Sequence, residues 1–522
     1  MAADTSTDNI IPELEIRDRA PRVLLVYPHS SNLNASPPLN LAVIGAVFRE
    51  EGCRVRAVDA AALLVKNGNS RIAAALDEMA PDVVAMSLIV GNARETYKLV
   101  KKLLLTKNIP LIAGGPHASV LPEEVLEHGI HIVVRREGEI TTAELVEWMK
   151  GQKDLSSIDG ISYRARPHGR ARHNPDRAFI SNLDALPLPA HDLFDPVDYF
   201  ERPEDKIRGG KLISSRGCPN RCTFCSNPVF GRKFRFRSPE SIIAEMEMLK
   251  EQYDIDRFEF VDDSFTANRR RLLELATALR QVPDATFSCV TRLENLDDET
   301  VPALRAAGLY RAYIGVESAH LETLKRINKN IKLEKLEPVL RLLHKNGIEA
   351  SLFFMFGFPW ESAEQIRETN RLIKQLRPLV KWFNEGGVLT PYPGTEIYKE
   401  YHESIGFTEW WLKPRSPHNA EPLHPLQPYY FFQYSEDEKA AIREGLDMIF
   451  EHNRSEQLAG EKLKHDLVNA LGEIEHIKHI ICDLEAQVHD RDRQLRELWD
   501  RSAEERLRRL WRIIRTRIAR RE

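Results

Sequence analysis

No stretch of this chain approaches the roughly 18 consecutive apolar residues of a membrane span. Residues 1–20 are polar and acidic, with no apolar core of a secretory signal. The sequence therefore predicts a protein that is neither exported nor integral to a membrane. Cysteine is scarce, six in 522 residues with three of them clustered, which is no secreted disulfide framework and points to a reducing, cytoplasmic setting. A charge excess is also missing. The net charge of −4 carries no global signal for nucleic acid, and none is expected as a partner. The length allows two or three domains with proper cores.

Against that background the stretch Arg216-Gly217-Cys218-Pro219-Asn220-Arg221-Cys222-Thr223-Phe224-Cys225 stands out. Its C-x3-C-x2-C spacing follows a short apolar run, Leu212-Ile213, that reads as a strand. Three thiolates so spaced can take three corners of one iron–sulfur cube and leave the fourth iron open to a small molecule. The alternatives are a zinc site or three unrelated core cysteines. Zinc prefers four ligands, and no second C-x2-C or H-x3-H lies nearby; Cys289, the next cysteine, stands alone in an apolar stretch.

Ahead of the cysteines, strand-like runs (Val23 to Tyr27, Arg54 to Val58, Asp82 to Ile89, Pro110 to Ala113, Ile130 to Val134) alternate with helical ones (Asn40 to Glu51, Arg94 to Leu105, Pro122 to His128). Such alternation predicts a doubly wound, Rossmann-like parallel sheet over residues 21–150, behind a disordered leader at 1–20. Ligands of such sheets sit at the carboxyl ends of the strands. There the chain has Pro28 to Asn32, Ser87 to Asn92 and Gly114-Gly115-Pro116-His117-Ala118, the last with glycine where backbone must turn sharply or approach a ligand. Residues 151–210, rich in proline, read as a linker with one hairpin near Ile161-Ser162-Tyr163.

From residue 211 to about 400, six strand-like runs appear: Lys211 to Ser214, Arg257 to Val261, Thr286 to Val290, Tyr310 to Val316, Ala350 to Phe356 and Trp382 to Leu389. Amphipathic stretches follow the first five, so a partial (β/α)6 barrel is expected, with its chemistry at the carboxyl ends of the strands. The residues at those ends are Asp262-Asp263, Arg292, Glu317-Ser318, Gly357-Phe358-Pro359 and Pro391-Tyr392-Pro393-Gly394. Singly, Asp263-Ser264 and Glu317-Ser318 could equally cap helices.

The cysteine motif, with Phe224 before its last cysteine, resembles the signature of the radical S-adenosylmethionine (SAM) enzymes. The strand-end patterns resemble the cobalamin-dependent branch of that family. The first half resembles its cobalamin-binding domain, through Pro38-Leu39-Asn40-Leu41, Val58-Asp59-Ala60, Gly114-Gly115-Pro116-His117 and Val133-Val134-Arg135-Arg136-Glu137-Gly138-Glu139. Leu186-Pro187-Leu188-Pro189-Ala190 resembles the segment that precedes its core. Two departures stand out. The family usually has glycine where Arg136 stands, and the D-x-H-x-x-G motif is absent, Tyr27 and His29 occupying the places of its Asp and His.

The resemblance implies a [4Fe-4S] cluster on Cys218, Cys222 and Cys225, and SAM bordered by Phe224, by Asp262 and Asp263 at its amino group, by Glu317 at the ribose, by Arg292 at the carboxylate and by Pro391 to Gly394 at the adenine. It implies cobalamin on Ser87, Gly114, Gly115 and His117. The implied activity is reductive cleavage of SAM to a deoxyadenosyl radical and methylation of an unactivated carbon or phosphorus centre of a small-molecule or natural-product substrate, with flavodoxin or ferredoxin as electron donor. The alternatives are a radical rearrangement or oxidative cyclisation without methylation, and a catalytically silent scaffold.

Residues 401–455 form an extension whose aromatics, Trp410-Trp411 and Tyr429-Tyr430-Phe431-Phe432, either pack on the barrel or close the substrate pocket. In the tail, 456–522, heptads from Leu467 to Leu498 predict a helical coiled coil and self-association. Arg506 to Arg521 then carries eight arginines beside an apolar face, as a helix on an anionic inner membrane surface would, or one packed on its own coiled coil.

Overall fold

The computed structural model describes residues 19–30, 33–164, 169–199, 210–384, 387–413, 423–424 and 430–462, with Ile11, Pro12, Leu14 and Ile16 before them and isolated positions between 484 and 512. Two units divide it, residues 1–452 and 453–522.

In the first unit, seven strands form one sheet: β1 (Arg22–Tyr27), β2 (Arg54–Asp59), β3 (Val83–Ser87), β4 (Leu111–Gly114), β5 (Ile132–Val134), β6 (Ile161–Tyr163) and β7 (Arg172–His173), in the order β2-β1-β3-β4-β5-β6-β7. The first five run parallel. β1 is wholly apolar and buried over Val23 to Tyr27, as a strand covered on both faces must be. Strand order reverses between β1 and β3, so the crevice beyond their carboxyl ends is the natural ligand position.

The sheet is mixed, not all parallel. β6 and β7 arise from the residues expected to be linker, and β6 runs antiparallel to both β5 and β7. Arg135, just past β5, holds this addition by donating to the carbonyls of Ile161 and Asn174 at 2.7 and 2.6 Å. Part of the leader is ordered too: Ile11, Leu14 and Ile16 pack on the core, and Arg19 pairs with Asp82 at 2.5 Å. Three helices of this half, Gly68–Met79, Pro116–Val120 and Glu139–Met149, were not predicted. The first opens on Gly68-Asn69-Ser70, which reads as a turn, and its stripe of Ile72, Ala75 and Leu76 is short; the second spans only five residues.

A second sheet holds β8 (Lys211–Leu212), β11 (Arg257–Phe260), β12 (Thr286–Thr291), β13 (Leu309–Glu317), β14 (Glu349–Phe354) and β15 (Trp382–Phe383), all parallel and neighbours in that order. This is the expected open barrel. Its sixth strand is shorter than predicted, continued only by a bridge between Phe356 and Val388. Between β8 and β11 a ribbon of β9 (Ser215–Arg216) and β10 (Arg235–Phe236) carries the cysteine loop.

Trp411, Tyr430, Phe431 and Phe432 are buried, with Phe407 between Phe431 and Phe432, so the aromatics of the extension pack on the barrel. In the second unit residues 453–462 are helical. Apart from Leu484 and Arg491, the heptad stretch Leu467 to Leu498 lies outside the described residues, as does most of Arg506 to Arg521.

Candidate active site

The cysteine loop is built to stay open. Gly217 has φ +84°, and a Cβ there would stand 2.4 Å from the Lys233 carbonyl, so only glycine lets the chain leave β9 at this angle. The Cys218 N–H donates to the Gly231 carbonyl at 3.2 Å. The loop's centre is held from two other elements. Thr223 N–H donates to the Ile327 carbonyl at 3.1 Å, and the Thr223 carbonyl accepts from Glu396 N–H at 3.1 Å. Asn328 donates to the Arg221 carbonyl at 2.9 Å. These bonds fix the backbone and leave the sulfurs uncommitted, apart from Asn220 Nδ2 at 3.2 Å from Cys218 Sγ and a long contact from Cys222 to the Asn328 carbonyl.

Burial pushes the Cys225 thiol up to about 11, with Cys222 and Cys218 adding to the rise. Cys222 is raised by burial too, while Lys329 and Arg292 pull it down. Among the described residues no three His, Cys, Asp or Glu side chains converge on one point. A cube asks instead for one thiolate at each of three separate irons, and three sulfurs around one loop with few competing hydrogen-bond partners fit that donor set.

Around the loop stand the strand-end residues. Asp263, beyond β11, accepts from Gly217 N–H at 3.1 Å and from Asn227 at 2.8 Å, and burial raises its carboxyl. Glu317 closes β13 with φ +73° and accepts from Lys329 Nζ at 2.7 Å. That pair lies over Gly315, where a Cβ would meet Glu317 Oε1 at 2.5 Å and Lys329 Nζ at 2.6 Å. Arg292 leads off from β12 and touches Glu294 at 3.2 Å. Phe224 is part-buried against the barrel core. Gly394, φ +85°, brings the Pro391-to-Gly394 loop against the first half, since a Cβ there would stand 3.0 Å from Val120.

Asp262 sits differently from Asp263. It is buried under β8 and β9, accepting from Ser214 N–H at 2.7 Å, Ser214 Oγ at 2.5 Å and Ser215 Oγ at 2.6 Å. Lys329 went unnoticed in the sequence. It lies in a turn after the helix Leu321–Arg326, in no motif, and only the fold brings its ammonium to Glu317 and the cysteines.

At the first sheet's carboxyl edge, Gly115 has φ +104° and a Cβ there would lie 2.7 Å from the Leu88 carbonyl, so the β3 and β4 loops touch backbone to backbone. Gly114 beside it leaves space that ordinary contact with Val134 bounds. Ser87 is buried and accepts from Asn40 Nδ2 at 2.6 Å. A smooth, side-chain-poor edge of this kind fits a broad, flat ring system such as a corrin. His29 is exposed beside it. His117 is buried, its Nε2 3.0 Å from Glu124 Oε1 and 3.2 Å from Tyr97 Oη, with the Trp411 ring edge-on. Glu124 also accepts from Trp411 Nε1 at 3.1 Å, and the neighbouring Trp410 Nε1 donates to the Pro391 carbonyl at 3.0 Å. The tandem tryptophans thus join the Gly114-to-His117 turn to the Pro391 loop.

Residues 212–373 match the family model of the radical SAM superfamily, and residues 33–146 that of the B12 binding domain. An uncharacterized methyltransferase of Pyrococcus horikoshii is 31% identical over 389 residues, which span 72% of this chain and 82% of that protein. The anaerobic magnesium-protoporphyrin IX monomethyl ester cyclase of Rubrivivax gelatinosus is 27% identical over 74% of this chain and 70% of its own. Among solved structures, the radical SAM methyltransferase TsrM of Kitasatospora setae, with cobalamin and a [4Fe-4S] cluster bound, shares the fold at TM-score 0.64 and 19% identity, over 83% of this chain and 89% of that one. The chain therefore belongs to the cobalamin-binding radical SAM enzymes, and its cofactors are a [4Fe-4S] cluster, SAM and cobalamin.

Proposed function

We propose that this enzyme methylates an unactivated carbon or phosphorus centre of a small-molecule or natural-product substrate. The observation that carries the reading is the joining, in one unit, of a glycine-lined sheet edge suited to a corrin and an open cysteine loop suited to a cluster. The names of the Pyrococcus and Kitasatospora methyltransferases support it.

Bound there, the cofactors supply SAM cleavage to a deoxyadenosyl radical and delivery of a methyl group. The chain's own residues do the rest. Cys218, Cys222 and Cys225 hold the cluster. Asp263 faces the SAM amino group, Glu317 the ribose, Arg292 the carboxylate, and Phe224 and the Pro391-to-Gly394 loop the adenine end. Asp262 acts at one remove, by fixing the strand that presents the cysteines. Ser87, Gly114 and Gly115 line the cobalamin, with His117 behind them. The buried aromatics of the extension keep water from the barrel's edge. A flavodoxin or ferredoxin supplies electrons, the heptads of the tail pair copies of the chain, and its arginine-rich end favours the inner membrane surface within the cytoplasm. Among the described residues no helix is long and apolar enough to cross a membrane.

The test is anaerobic reconstitution with iron, sulfide and hydroxocobalamin, followed by SAM and a reductant, with deoxyadenosine and S-adenosylhomocysteine quantified together. Both products should form, the second only with cobalamin, and Cys222→Ala should abolish both. Deoxyadenosine alone, with candidate substrates supplied, would replace methylation by rearrangement or cyclisation. Neither product from fully loaded protein would sink the enzyme reading.

A further inference from the structure

Four buried charges stand outside the site as described. Glu137 lies in the turn that leaves β5, Glu139 opens the helix that follows it, Arg216 is in β9 and Arg235 in β10, and each is 6% exposed or less. Glu137 Oε1 accepts from Arg216 Nη1 at 2.9 Å and from Arg235 Nη1 at 2.8 Å. Its Oε2 accepts from Arg235 Nη1 at 2.7 Å and from Ile180 N–H at 2.9 Å. Glu139 Oε1 accepts from Arg216 Nη2 at 2.6 Å, and its Oε2 has no partner among the described residues.

Position matters more than strength here. Arg216 and Arg235 are register partners across the two-stranded ribbon, and Arg216 is two residues before Cys218. One carboxylate therefore grips both strands at the base of the cysteine loop. The same turn begins where β5 ends, beside the cobalamin edge: a Cβ on Gly114 would lie 3.7 Å from the Val134 carbonyl. The turn is braced from behind as well. Arg135 bonds the carbonyls of Ile161 and Asn174 and the Asp176 carboxylate, and Arg136 pairs with Asp176 at 2.7 Å. Arg135 thus ties the turn to β6, both arginines tie it to Asp176 just past β7, and two glutamates reach the cluster ribbon.

Apolar side chains of similar volume would glue the halves together with less desolvation; what a buried, hydrogen-bonded ion pair adds is direction and register. We propose that the 135–139 turn sets the spacing between the cobalamin edge and the cluster loop, with Glu137 and Glu139 as positioning residues that act through Arg216 and Arg235. The inference rests on the cofactor assignment above, so its test has one arm with cofactors and one without.

In protein loaded with both cofactors, the reduced cluster and cob(II)alamin are paramagnetic, and pulsed electron paramagnetic resonance reads their separation. Wild type should give one narrow distance. Glu137→Gln should shift or broaden it at unchanged iron and cobalamin content. In cofactor-free protein, amide exchange across residues 211–236 should rise by about tenfold in the variant while β12 to β14 keep their protection. An unchanged distance, or exchange rising equally over both sheets, would overturn the proposal and leave the pairs as structural glue. Should Glu137→Gln not fold, Glu139→Gln, which weakens a single bond, is judged by the same two readouts. A wild type that binds only one cofactor would count against the cofactor assignment, and the exchange arm would still decide this proposal.

Discussion

Arg136 occupies a backbone conformation that suits glycine, φ +62°. A side chain there costs about 1–2 kcal/mol, because Cβ crowds the carbonyl oxygen. Three contacts hold it in place: its N–H donates to Ser119 Oγ at 2.9 Å, its guanidinium pairs with Asp176, and it lies 5.3 Å over the Phe179 ring. The ion pair is half-exposed, worth about 0–1 kcal/mol, and the ring contact adds about 0.5 kcal/mol. Arg136→Ala and Arg136→Gly lose both side-chain contacts equally, so their difference isolates the backbone. Glycine relieves about 1–2 kcal/mol of crowding and gives back about 0.5–1 kcal/mol in unfolded-chain freedom. Arg136→Gly should therefore be the more stable of the two by about 1 kcal/mol, the reverse of the usual order. In a chain of this size that is about 1 °C in thermal midpoint, so the difference is read from denaturant midpoints of cofactor-free protein. An alanine variant as stable as the glycine variant, or more so, would refute the reasoning.

His131 accepts the Leu111 N–H at Nδ1, 2.9 Å, and burial pushes its imidazole down to about 4. The unfolded chain takes up that proton near pH 6.5, so the stability is whole above that pH and is lost as pH falls toward 4. From pH 7 to pH 5 the loss should be about 2 kcal/mol, read from denaturation midpoints. His131→Asn should lack that portion; an identical pH slope in the variant would contradict the assignment. Asp262→Ala strips the partners from Ser214 and Ser215 and leaves buried Arg271, which donates to Ser214 Oγ at 2.5 Å, without its nearest counter-charge. A loss of about 3 kcal/mol is expected, with SAM affinity of the folded fraction unchanged in equilibrium dialysis. An affinity loss at unchanged stability would instead put Asp262 in contact with SAM.

The candidate site could be proposed from the sequence because its chemistry is local there. Cys218, Cys222 and Cys225 lie within eight residues, so their spacing alone announces a three-thiolate set. Strand ends were legible from apolar runs followed by glycine or acid, which is how Asp263, Glu317 and Gly394 came into view. Asp262 and Asp263 show the limit. They are adjacent, yet the alternation of a chain leaving β11 turns one under the sheet and the other toward the cysteine loop. Lys329 and the Arg216–Glu137–Arg235 group carry no spacing signal, because their partners are 12 to 98 residues away.

The sequence by itself determined the two αβ layers and the cysteine loop, since hydrophobic periodicity and ligand spacing act over a few residues and need no distant partner. Only the tertiary structure decided that Ile161–Tyr163 and Arg172–His173 extend the first sheet, that Arg136 takes a left-handed turn, and that Glu137 meets both strands of the ribbon carrying the cysteine loop. Those outcomes depend on burying charge and pairing backbone across long stretches of chain, and burial is a property of the folded whole.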